Sequence, residues 1–263
     1  VSNPVDILTY VAAQRLGLPA SQVMGLGTQL DTIRFCGLIA DHLKCAPTQT
    51  RALILGEHGE SMVPIWSSAT VGGLPLEKFA NWNHAIANQI FTRTKGSGAE
   101  VISKKGGAGF AVGIAIRDVI ESIVLDQCRI LPVSSVQSGC YGIRDVSLSV
   151  PTVVGRSGVV DRYELELWPK ELQGLRASAS ALRSGGSGLM RAVFSLTGAL
   201  SLLCGLFEAQ CPFFRLVQMF KFPHYLRKQF FVATPRSSCA KVLHICLSFF
   251  RIIFDQIEEG FRV

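Results

Sequence analysis

From residue 4 to residue 182 the sequence switches repeatedly between apolar residues spaced three to four apart and short runs that are apolar throughout. Then Ser184-Gly185-Gly186-Ser187-Gly188 breaks the pattern. Such switching reads as helices and strands packed on a shared core. The spacing predicts a helix over 4–16, with Asn3 as N-cap and Pro4 at its first position. A short strand is expected over 23–26 and a second helix over 30–43, with Ile33, Leu38, Ile39 and Leu43 facing inward. Residues 52–55 read as a buried strand running into Gly56-Glu57-His58-Gly59-Glu60, which sets His58 at a strand end. Helices are expected over 76–101 and 110–126, strands over 129–136, 146–154 and 162–167, and a closing amphipathic helix over 169–182. No internal repeat is visible.

Composition matters where charge would otherwise mislead. The net charge of +7 would suggest a nucleic-acid or membrane partner if it were spread over the chain, but residues 184–263 hold nine Lys/Arg against four Asp/Glu. The remaining body is nearly neutral and interleaves no aromatics with its cations, so no nucleic-acid partner is expected. The eight cysteines, 36, 45, 128, 140, 204, 211, 239 and 246, form no C-x-x-C pair and no zinc spacing, so no metal is implied. They read as reduced thiols of a cytoplasmic protein. The chain opens on Val1 without a methionine, as though entered in mid-fold, and its start reads as truncated.

One histidine between glycines is usually structural. Here it belongs to an ordered set: Asn3-Pro4-Val5-Asp6, Leu30-Asp31-Thr32-Ile33-Arg34-Phe35, Gly56-Glu57-His58-Gly59-Glu60-Ser61-Met62-Val63-Pro64, Lys105-Gly106-Gly107-Ala108-Gly109-Phe110-Ala111-Val112-Gly113 and Tyr141-Gly142-Ile143-Arg144-Asp145. In order and spacing this set resembles the malate/lactate dehydrogenase family over residues 1–183. The resemblance implies the end of a Rossmann-type NAD domain in 1–26 and an α+β catalytic domain in 27–183, an α/β then α+β order overall. It also implies NAD as cofactor, a small 2-hydroxy or 2-oxo acid as substrate, and association as a homodimer or homotetramer.

The chemistry explains the residue types. Oxidising a 2-hydroxy acid needs a base for the hydroxyl proton, and a histidine titrating near neutrality suits that task; His58 is the candidate. By resemblance Asp31 orients its ring, and Arg34, three residues on, offers a two-toothed donor to the substrate carboxylate. Asn3 is expected at the substrate or nicotinamide, and Ala108 lines the pocket where some relatives carry a hydroxyl. Glu60 stands where the family usually has Asp, and Cys36 where arginine is common.

No G-x-G-x-x-G follows a strand, and Gly25-Leu26-Gly27 is not that motif. A chain complete as given would therefore bind nucleotide poorly. The loop that separates malate from lactate enzymes is not among these residues. The glycine-rich 105–109 and Glu164-Leu165-Glu166-Leu167 resemble the lactate-dehydrogenase-like malate enzymes, which favours malate/oxaloacetate, with L-lactate dehydrogenase as the alternative. The alternative of another class is an inactive remnant that oligomerises or associates with membranes. Residues 184–263 have no counterpart in the family. Their uncharged stretch at 192–207 is shorter than the roughly 20 residues a bilayer requires, so membrane contact is not the favoured reading. They read as an addition without selected function.

Overall fold

The computed structural model describes residues 4–106 and 109–184. The expectations for the tail thus lie outside the described residues.

Helix α1 (Val5–Arg15) starts one residue later than expected, with Pro4 as N-cap and its carbonyl accepting the Leu8 N–H at 3.0 Å. The expected strand at 23–26 contracts to one bridge, Gly25 with Ser134. Gly25 is pressed so closely on α1 that a Cβ would stand 2.4 Å from Thr9 Oγ1, and Gly27 turns away at φ +56°. The chain then enters α2 (Gln29–Leu43).

Helix α2 is buried on two sides, against strand β1 (Thr50–Leu55) and helix α3 (His84–Lys105). Its core residues are Leu30, Phe35, Ile39 and Ala40, while Leu38 and Leu43 are only half-buried at the margin and Ile33 is intermediate. Strand β1 pairs antiparallel with β2 (Val63–Val71), which continues into β3 (Leu74–Pro75). No strand was expected at 63–71. The helix expected over 76–101 begins instead as a single 3-10 turn, Leu76–Lys78. Helix α3 starts only at His84, after Asn83, whose side chain caps the Ile86 N–H at 3.0 Å.

After α4 (Gly109–Val124) the expected strand over 129–136 divides into β4 (Arg129–Leu131) and β5 (Ser134–Ser138), which join different sheets. Pro132, without an N–H to give, sits at the break. Strand β4 pairs with β7 (Thr152–Gly155), β7 with β8 (Gly158–Arg162), and β5 with β6 (Arg144–Ser149). Every ladder among the described residues is antiparallel, so this body is α+β.

The strand expected over 162–167 is absent past Arg162. Residues 163–168 form an irregular strap instead, pinned where Tyr141 N–H donates to Glu164 at 2.5 Å and Leu165 N–H donates to Tyr141 Oη at 2.7 Å. The closing helix, α5 over 169–184, sends Leu175, Ala179 and Leu182 into a core with Leu55, Ile65, Ile143 and Leu148. Buried Glu171 ties it to β2 by accepting the N–H groups of Trp66 and Ser67 at 2.7 and 3.0 Å.

Candidate active site

Two threonines fix α2 on β1. Thr28 Oγ1 donates to the Ile54 carbonyl at 2.5 Å, and Thr32 Oγ1 accepts the Ile54 N–H at 3.0 Å. All three residues are buried, so no solvent competes for these bonds, which hold the first turn of α2 at the end of β1. Asp31 and Arg34 lie on that turn, and His58 follows β1 by three residues.

The loop carrying His58 is held from three elements. Gly56, at φ +88°, exchanges backbone bonds with Ser149 of β6 at 2.9 and 3.0 Å. Glu57 N–H donates to Ser178 Oγ of α5 at 2.8 Å, while the Glu57 carboxylate accepts the Ser61 N–H at 3.2 Å and its hydroxyl. His58 N–H donates to Asp6 Oδ2 of α1 at 2.8 Å. A Cβ at position 56 would stand 2.8 Å from Ser178 Oγ, which is why glycine is needed there.

The three residues expected to carry the chemistry come together. His58 Nδ1 lies 2.5 Å from Asp31 Oδ2, and Arg34 Nη1 lies 3.8 Å from Asp31 Oδ1. The Asp31 carboxylate thus faces His58 with one oxygen and Arg34 with the other. Its hydrogen bond raises the His58 pKa above the usual 6.5; burial opposes this, the charges of Asp31 and Asp6 add to it, and Arg34 opposes it. With Nδ1 committed, Nε2 is the ring atom left for a ligand. Arg34 Nη2 is buried yet has no hydrogen-bond partner among the described residues. A buried guanidinium left open is costly unless something external fills it, and a carboxylate matches its planar fork.

Asn3 and Ala108 lie outside the described residues. Glu60 is exposed and reaches Lys95 of α3 at 2.7 Å, and Cys36 Sγ lies 3.4 Å from the Ala52 carbonyl, so neither departure enters the site. The sequence reading gave no role to Asp6, Thr28 or Ser178. Asp6 stood inside a quoted motif, but only its contact with the His58 main chain reveals a task.

The same packing tests the fit to a dinucleotide. Phosphates bind where glycines leave backbone N–H groups open at a helix start. Ahead of α2, a Cβ on Gly27 would fall 2.3 Å from Ser149 Oγ, and the Thr28 N–H is already given to that hydroxyl at 3.0 Å. This turn is filled by protein. The turn ahead of α2 therefore offers no cradle for phosphates.

The sequence profile described as lactate/malate dehydrogenase, alpha/beta C-terminal domain, matches residues 28–186. An L-lactate dehydrogenase of Synechococcus sp. is 42% identical over 184 residues, covering 70% of this chain and 60% of the relative. One from Kosmotoga olearia is 41% identical over 191 residues, covering 70% and 59%. Among solved structures, the ligand-bound minor L-lactate dehydrogenase from Enterococcus mundtii superposes with a TM-score of 0.69 at 37% identity, covering 71% of this chain and 61% of that one. The chain therefore spans about 60% of the length of the relatives it matches.

Proposed function

Because the chain belongs to the lactate/malate dehydrogenase family, we propose that it carries the substrate-handling half of an NAD-dependent L-lactate dehydrogenase, which interconverts pyruvate and L-lactate. The observation that carries this is Arg34, part-buried beside the His58–Asp31 pair with its buried Nη2 open. In the reducing direction Arg34 holds the pyruvate carboxylate, and the His58 imidazolium donates its Nε2 proton to the ketone oxygen. Asp31 keeps the ring oriented through Nδ1–H and stabilises the cation before transfer. NADH, when bound, supplies the hydride that completes the alcohol. In the oxidising direction neutral His58 takes the hydroxyl proton back.

The relatives' names favour lactate over the malate reading of the sequence. One of the two stretches behind the malate reading also has another task, since Glu164 accepts the Tyr141 N–H and 163–168 packs as a strap. The profile match from residue 28 supports the division of 1–26 from the catalytic residues 27–183. Cys36, Cys45, Cys128 and Cys140 are unpaired, which supports a reducing cytoplasm, and among the described residues no helix is long and apolar enough to cross a membrane. Exposed Phe110, Ile114, Ile120 and Val124 of α4 support association into a homodimer or homotetramer.

The test is NADH oxidation by the purified 263-residue chain with pyruvate and, separately, oxaloacetate. Turnover is expected to be faster with pyruvate and to disappear in His58→Asn. A preference for oxaloacetate restores the malate reading, and absence of both NADH binding and turnover in a folded sample leaves the inactive remnant.

A further inference from the structure

Asp6 is a buried carboxylate that the chemistry above does not use. It is 2% exposed, it lies on the inward face of α1 beside Val5 and Thr9, and its Oδ2 accepts the His58 N–H at 2.8 Å. We propose that Asp6 is a positioning residue for His58, holding the histidine's main chain through that bond and favouring the imidazolium through its negative charge.

The groups facing the pair can be named element by element. From α2 come Asp31, at 2.5 Å from Nδ1, and Arg34; from the histidine's own loop comes Glu57; from α1 comes Asp6. The Ser134 hydroxyl of β5 is the neutral group that faces Asp6. A small cavity is lined by Asp6, Tyr10, Asp145, Ser147 and Arg183. His58 is therefore held twice, its ring by a carboxylate of α2 and its main chain by one of α1.

A purely structural role fits Asp6 poorly. Burial pushes its pKa from 3.8 up to about 6, against the neighbouring Ser134 hydroxyl, the bond from the His58 N–H and the charge of His58. A raised carboxyl favours the fold below its unfolded pKa, and that contribution is lost as pH rises through the folded value. Near neutrality the ionised group thus weighs against stability, so an asparagine, with the same shape and an acceptor oxygen, would suit the fold better. What asparagine cannot supply is the charge beside His58.

The proposal rests on the reading of His58 as the proton-transferring group, but its test needs no turnover. In the full chain, NMR would follow the His58 ring and its backbone N–H with pH, in wild type and in Asp6→Asn. We expect the His58 ring midpoint to fall by about half a pH unit or more in Asp6→Asn, because an attracting charge is lost. In wild type the His58 N–H shift is expected to show a step near pH 6 as Asp6 ionises. An unchanged ring midpoint in a folded Asp6→Asn protein overturns the proposal. Should the variant not fold, the wild-type N–H decides alone, and absence of the step near 6 overturns it. Failure of the turnover assay with the titration as expected would refute the proposed function and leave this pairing standing.

Discussion

Arg34→Gln is expected to lower kcat/KM for pyruvate by about 30-fold to a few thousand-fold. Truncating one member of a desolvated, hydrogen-bonded charge pair costs about 2–5 kcal/mol, and the Arg34 fork is buried with Nη2 open to a ligand carboxylate. The substitution should not lower stability, because it removes a buried, unpartnered Nη2 and breaks only the long 3.8 Å approach to Asp31. Steady-state kinetics paired with a melting curve separate the two effects. A fall of less than about threefold in kcat/KM, with the protein intact, would mean that Nη2 faces no substrate carboxylate.

Phe35→Ala is expected to destabilise the fold by about 3–5 kcal/mol, read as a lower urea midpoint with an unchanged slope. Phe35 is fully buried, with its ring edge-on to Trp66 at 4.7 Å, in the core that α2 shares with β1 and β2. The side chain follows Arg34 directly, so a cavity there loosens the helix that seats both Asp31 and Arg34. Leu74, 55% exposed, provides the contrast; its alanine variant should change stability by no more than about 0.5 kcal/mol. A cost below about 1 kcal/mol at Phe35 would show that α2 does not pack on β1 as described.

The site was legible in the sequence because its parts are local. Asp31 and Arg34 share one helical turn, His58 follows a short apolar strand, and the motif order supplied the family. Strand β2 escaped notice because Pro64 and Ser67-Ser68 interrupt its alternation, and its interior positions are mostly half-buried. The overlong helix at 76–101 has a similar origin: Leu76, Phe79 and Trp82 continue an apolar spacing, yet they enter the core from a non-helical segment that ends at the Asn83 cap. Pairing is non-local, so Pro132 could split one expected strand between two sheets without any periodic signal. Asp6 was illegible for the same reason, since the residue it serves lies 52 positions away. The lean toward malate rested on a resemblance of two short stretches to malate enzymes, one of which packs as a strap.

The central claim is that Asp31 and His58 form a poised proton-transfer pair, and direct titration of the His58 ring tests it most plainly. In wild type the midpoint should lie above the ordinary 6.5, because Asp31 accepts from Nδ1. The stability this bond contributes is present below pH 6.5 and is lost as pH rises through the folded midpoint. In Asp31→Asn the midpoint should fall by about one pH unit or more. A wild-type midpoint at or below 6.5, unmoved by Asp31→Asn, would contradict the account.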